Sequence, residues 1–166
     1  YDRYNGRVNL TTELAKNLTL TTRLGGVVSK RSEPSTPGGM DSAGFKAFSS
    51  NALRFPGLWA TKLEDGSYGL GPKVLGTPLA WLDSGSFYDE NFDKFRSNVE
   101  LAFTPVKGLT LKAIGGYNYT GQQIRHYRSA MEITGGKKLG PSSLSDTMYK
   151  TVYKTFQALA DYNVKF

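Results

Sequence analysis

The sequence predicts an all-β fold, an antiparallel transmembrane β-barrel segment of about five strands with two long extracellular loops. Three observations predict it. Apolar and polar residues alternate with period two along five stretches. One face of those stretches carries no charge. The connections are short at one end of the strands and very long at the other.

The strands follow in order. The first, about 4–14, puts Tyr4, Gly6, Val8, Leu10, Thr12 and Leu14 on one face and Arg7, Asn9, Thr11 and Glu13 on the other. Ala15-Lys16-Asn17 turns the chain. The second strand, about 18–29, continues the apolar face with Leu18, Leu20, Thr22, Leu24, Gly26 and Val28. The third, about 95–104, offers Phe95, Ser97, Val99, Leu101 and Phe103 against Arg96, Asn98 and Glu100. Pro105-Val106-Lys107-Gly108 is the next turn, punctuated by Pro and Gly. The fourth strand, about 109–119, shows Leu109, Leu111, Ala113, Gly115, Tyr117 and Tyr119 on the apolar side. The fifth, about 155–166, shows Phe156, Ala158, Ala160, Tyr162, Val164 and Phe166. These apolar faces hold 29 positions without one charge, where the 21% charged content of the chain would put about six. Every charge in the five strands lies on the opposite face.

The first two hairpins are also related by sequence. A shift of 91 positions lays Asp2-Arg3-Tyr4 over Asp93-Lys94-Phe95 and Lys16-Asn17-Leu18-Thr19-Leu20 over Lys107-Gly108-Leu109-Thr110-Leu111. The same shift lays Gly25 over Gly116. One gapless shift of this kind reads as the same hairpin used twice.

A sandwich core and a lipid bilayer both demand a charge-free face. The connections decide for the bilayer. Turns of three or four residues at one end oppose loops of about 31–94 and 120–152 at the other, the pattern of outer-membrane barrels. Strands of ten to twelve residues match the ~9–11 tilted residues that span hydrocarbon. Tyr4, Phe95, Tyr117 and Tyr119 sit at the long-loop ends, Phe103 and Phe166 at the short-turn ends, as two interfacial girdles require. Five strands cannot close a barrel, so a longer wall is expected. The opening Tyr1-Asp2-Arg3, without an initiator Met or a signal-peptide pattern, likewise suggests a chain cut from something longer.

Composition removes other classes. The absence of Cys rules out disulfide staples and thiolate metal sites. Apolar runs of only a few residues exclude a transmembrane helix. The net charge of +7 is spread along the chain rather than gathered in a stripe, which argues against nucleic acid.

Within the first loop, Phe45, Phe48 and Ala52 are spaced for one face of a short helix, with Pro56 just beyond. Asp65-Gly66 reads as a tight hairpin turn. Thr77-Pro78-Leu79-Ala80-Trp81-Leu82 reads as a capped helical turn with Pro at its first position.

Tyr4-Asn5-Gly6-Arg7-Val8-Asn9-Leu10, Leu53-Arg54-Phe55-Pro56, Asp65-Gly66-Ser67-Tyr68, Pro78-Leu79-Ala80, Pro105-Val106-Lys107-Gly108-Leu109 and Asp161-Tyr162-Asn163-Val164-Lys165-Phe166 form a series in matching order over nearly the whole chain. The series resembles the SusC-like branch of the TonB-dependent transporters of Bacteroidetes outer membranes. It departs from that pattern at Thr77, where the family more often has Asn before Pro. The resemblance implies import of large nutrients such as glycans or peptides. It also implies a SusD-like surface lipoprotein over the extracellular loops and a TonB complex that supplies energy through parts not in this chain. The family's plug domain is not in this sequence. Outer-membrane lipid is the expected surrounding, and the bacterial outer membrane the expected location.

Residues for chemistry are few. His126 is the only histidine, and a lone histidine completes neither a metal site nor a nucleophile triad; it reads as a solvated loop residue. Gly135-Gly136-Lys137-Lys138-Leu139-Gly140 lacks the spacing of a phosphate loop. No catalytic residue, metal ligand or cofactor is expected, and the chain does not read as an enzyme. Trp59, Tyr68, Trp81, Phe87 and Tyr88 are the candidate substrate or partner contacts in the loops, because aromatics stack on sugars and anchor interfaces. Packing of the loop against itself is the competing role for them. The alternative to the barrel is a soluble or surface-exposed β-sandwich binding module of carbohydrate-binding type.

Overall fold

The computed structural model describes residues 1–36, 45–71 and 76–163. The elements are β1 (Asp2–Ala15), β2 (Leu18–Pro34), α1 (Phe45–Arg54), α2 (Pro78–Asp83), β3 (Phe87–Val106), β4 (Leu109–Arg128), β5 (Met131–Ile133), β6 (Lys137–Leu139) and β7 (Ser143–Tyr162). Five strands form one antiparallel sheet in the order β1-β2-β3-β4-β7, and β5 and β6 form a separate two-stranded ribbon. The large sheet is thus a meander with a small hairpin set into its last connection. It is open, with β1 and β7 at its edges, and not closed into a barrel.

Five long strands stand where the alternation puts them, but all are longer than expected, four of them by five residues or more. β2 runs on to Pro34, β3 begins at Phe87, β4 continues to Arg128 and β7 begins at Ser143. The turns are tighter than expected, since Ala15 and Val106 belong to strands and only Lys16-Asn17 and Lys107-Gly108 remain. Gly108 takes φ +89°, the left-handed geometry that a two-residue hairpin needs and glycine adopts freely. The added lengths escaped the pattern because alternation reports the surroundings of a strand, not its backbone pairing. Asp93 and Asp89 share the parity of Phe95, Arg125 that of Tyr119, and Lys154 and Lys150 that of Phe156. The charge-free band therefore ends while the hydrogen-bonded ladder goes on. Val164, Lys165 and Phe166, expected to finish the last strand, lie outside the described residues, as do 37–44 and 72–75 of the first loop.

The chain divides into two compact units. Among the described residues the strand unit comprises Asp2–Ser29, Asn91–Gln122 and 148–163. Its two hairpin turns are tied to neighbouring strands, since Thr104 N donates to Asn17 O and Asn163 N donates to Gly108 O, both at 2.8 Å. On the polar face Arg23 donates to Asn98 Oδ1 at 3.3 Å and lies 3.6 Å from Glu100, which Lys112 approaches at 3.9 Å. On the charge-free face Phe95 and Tyr117 meet with ring centroids 6.4 Å apart. No apolar side chain of this unit is buried among the described residues. Val8 is 60% exposed on the edge strand, and even Val99, on a central strand, is 40% exposed. No second sheet of the described chain covers that face.

The loop unit comprises Tyr1, Lys30–Glu90 and Gln123–Thr147. It holds all the buried apolar side chains among the described residues: Ala80, Trp81, Ile133 and Leu139. Gly76 shows how they converge. A Cβ there would stand 3.5 Å from Leu139 Cδ1, 3.6 Å from Trp81 Nε1 and 3.7 Å from Ile133 Cγ2. The β5–β6 hairpin thus closes over the start of α2. Its turn is Gly135-Gly136, both at positive φ, which is the role of the glycines set aside above as a phosphate loop.

Candidate functional site

The loop unit builds a cavity from local turn chemistry. Asp65 Oδ1 accepts from Ser67 N at 2.8 Å and from Ser67 Oγ at 2.6 Å, which closes the expected turn and leaves Gly66 at φ +83°. An antiparallel bridge then pairs Lys62 with Tyr68. Thr134, at the end of β5, stitches the small hairpin to this one. Its N and its Oγ1 both donate to Tyr68 O, at 2.9 and 2.7 Å. Thr77 caps α2 as expected, with Oγ1 accepting from Ala80 N and donating to Thr61 O, each at 3.2 Å. The tie to Thr61 brings the 59–63 stretch against the helix start. Close approach at Gly69 completes the wall, since a Cβ there would fall 2.2 Å from Ala60 O. Between these segments lies a largely apolar cavity of about 450 Å³, lined by Trp59, Leu63, Leu70 and Thr134 among others.

The five aromatic candidates separate in this setting. Trp59 lines the cavity, is 47% exposed and stands edge-on to Phe55 with centroids 6.3 Å apart. Tyr68 is half-buried, and its hydroxyl donates to Asp83 Oδ2 at 2.7 Å, the bond that chiefly raises its pKa. Trp81 is 5% exposed and packs the small core, so it offers no face to a ligand in this conformation. Phe87 and Tyr88 are not loop residues but the first two of β3. Their rings pack against Tyr127 and His126 of β4, at 5.6 and 5.7 Å. The structure brings only Trp59 to the cavity. Leu63, Leu70 and Thr134 were missed because nothing in their local pattern distinguishes them; the pairing of two distant hairpins places them.

His126 also differs from its reading as a solvated loop residue. It lies half-buried on β4, with Nε2 2.5 Å from Ser35 Oγ and 3.3 Å from Arg128 Nε. A guanidinium only donates, so Nε2 is an acceptor here, the ring proton sits on Nδ1 and Ser35 donates. Burial, and then the Arg128 charge, lower the His126 pKa below its ordinary 6.5. A serine hydroxyl on a neutral imidazole has the makings of a nucleophile and base. Ser35 is 3% exposed, however, so a substrate has no access to its oxygen. Nearby, Arg31 bridges Glu33 and Glu90, and Glu33 Oε2 accepts from Phe45 N at 2.8 Å. That bond satisfies an unpaired N–H at the start of α1. Among the described residues no group of three or more His, Asp or Glu is placed to hold a metal ion.

No known protein-family model matches this chain, and no curated protein matches it.

Proposed function

We propose that this chain is a stretch of outer-membrane β-barrel wall from a SusC-like, TonB-dependent transporter that imports large nutrients such as glycans or peptides. One observation carries the membrane part of this reading. The charge-free face of the strand unit, with Tyr4, Val8, Leu10, Leu101 and Phe156, is exposed and no sheet among the described residues covers it. Water makes such a face unfavourable by ~25 cal/mol for each Å² left uncovered, while lipid does not. The band also has the right height. Tyr4 to Leu14 and Leu18 to Val28 are eleven residues each, within the ~9–11 that cross hydrocarbon at a tilt. Beyond it, on the loop side, the strands continue with Asp93, Arg125 and Lys154 in the same alternation, as expected where a wall leaves lipid for water. The free edges of β1 and β7 call for further strands on both sides, since lipid does not tolerate unpaired backbone groups. No helix among the described residues is long and apolar enough to cross a membrane, which says nothing about crossing by strands.

The transporter part rests on the resemblance in sequence. In that reading the loop unit faces the exterior, the Trp59 cavity meets the nutrient or a SusD-like lipoprotein, and the TonB complex acts elsewhere on the protein. A soluble carbohydrate-binding sandwich is less well supported, because the described chain forms one large sheet rather than two packed ones.

Adjacent residues on β3 test the lipid face. Asn98 and Val99 point to opposite sides of one strand. Single cysteines at each, carrying a fluorophore in the intact membrane-bound protein, are exposed to nitroxide-labelled lipid. The reading expects strong quenching at Val99 and little at Asn98. Equal quenching at both, or a native protein that stays in solution without detergent, would sink it.

A further inference from the structure

We infer that the polar face of the strand unit carries a binding site for an oxyanion, a carboxylate or sulfate borne on a sugar-sized ligand. A cleft of about 430 Å³ opens there, edged by Arg7 of β1, Arg23 of β2 and Arg96 of β3, with Asn9, Asn98 and Asn118 between them. The charge in it is not balanced. Arg23 lies 3.6 Å from Glu100, but Glu100 is shared with Lys112 at 3.9 Å. Arg7 and Arg96 have no carboxylate within 4.0 Å among the described residues. Two uncompensated guanidinium groups at one cleft favour an anion, and their planar forks match carboxylate and sulfate two bonds at a time. The asparagine side chains add neutral donors that fix orientation.

Glycine leaves the floor open at one position and admits a neighbouring side chain at another. Gly25 and Gly116 both border the cleft. A Cβ at Gly25 would meet nothing closer than Gly6 O at 3.9 Å, and one at Gly116 would fall 2.3 Å from Thr155 Oγ1. These two glycines are the counterparts brought together by the 91-residue shift between the hairpins. Gly25 thus leaves open space on the face that carries the arginines, while Thr155 occupies the space over Gly116 and borders the cleft there. The volume lies within the range of small-ligand sites, about 300–1,000 Å³, and exceeds what a bare inorganic ion fills.

The location of this cleft on a lumen wall rests on the barrel reading; the binding itself does not. The test is calorimetric titration of the intact protein in detergent micelles at fixed ionic strength, with sodium sulfate, galacturonate and neutral galactose as probes. Saturable binding of sulfate or galacturonate, and none of galactose, is expected. Arg7→Gln and Arg96→Gln should each weaken that binding about tenfold, the loss of one charge-assisted contact. Arg3→Gln, on the same face of β1 but not among the residues that line the cleft, should change it less than about twofold. Absence of saturable anion binding overturns the proposal, as does an equal loss with Arg3→Gln, which would mean a diffuse field. Either failure leaves the lipid-quenching result at Val99 and Asn98 unaffected, so the two readings fail separately.

Discussion

Ser35 Oγ donates to His126 Nε2 across 2.5 Å, joining the residue just past β2 to a position two residues from the end of β4, 91 positions apart in sequence. The imidazole also packs edge to face with the Tyr88 ring, with centroids 5.7 Å apart. The surroundings of His126 give a pH dependence with a definite sign. The folded His126 pKa is depressed below 6.5, first by burial and then by Arg128. Below 6.5 the unfolded chain therefore binds more protons than the folded one, and stability rises with pH through that window. The contribution is complete above 6.5 and is lost as pH falls through the folded value. Melting temperatures recorded from about pH 7.5 down to about pH 5 should fall, and His126→Gln should flatten that part of the curve. Glu33, lowered chiefly by its bond from Arg31, and Asp65, lowered chiefly by Ser67, titrate below their ordinary 4.5 and 3.8 and leave the window clear.

Thr77 is fully buried and bonded at both its donor and its acceptor. Thr77→Ala should destabilise the loop unit by about 1–2 kcal/mol, the cost of a lost N-cap. Thr77→Asn, the residue more frequent in the resembling family, retains the cap and should cost less. Hydrogen exchange of the Ala80 and Trp81 amides distinguishes the two.

Gly69 and Gly57 make a matched pair. A Cβ at Gly69 would collide with Ala60 O at 2.2 Å, whereas at Gly57 nothing lies within 4 Å. Gly69→Ala must push the backbone at Ala60 aside and open the cavity wall. Gly57→Ala should be neutral or slightly stabilising, by a few tenths of a kcal/mol. Limited proteolysis of the 57–71 segment should speed up for the first variant only.

The two tryptophans should part in the same way. Trp81→Ala removes the largest of the four buried apolar side chains among the described residues and should cost about 3–5 kcal/mol, enough to melt the loop unit. Trp59→Ala should leave the melting temperature nearly unchanged while weakening binding of an oligosaccharide about tenfold, the loss of one stacking contact. An unchanged affinity for Trp59→Ala in a protein that binds oligosaccharide would remove the cavity from the recognition surface.

Local rules written into single residues were legible in the sequence. Asp65-Gly66 closes its turn, Thr77 caps its helix, and Phe45 to Arg54 form a helix before Pro56. Period-two alternation located five strands and the face that carries no charge, because a strand in a one-sided environment must obey that period. The same rule failed where the environment is alike on both sides. Phe87 and Tyr88 joined β3, and residues 143–154 joined β7, through backbone pairing that leaves no periodic trace.

The sequence by itself determined that five strands form, which of their faces carries no charge and roughly where the two hairpin turns fall, since each is dictated by neighbours one to four residues away. Only the tertiary structure decided that the charge-free face lies uncovered on a single open sheet. It also decided that Trp81 is core while Trp59 borders a cavity, and that Arg7, Arg23 and Arg96 edge one cleft. Those outcomes depend on which distant segments pair. Pairing is settled by backbone hydrogen bonds and cross-strand contacts, for which an individual residue carries almost no local signature.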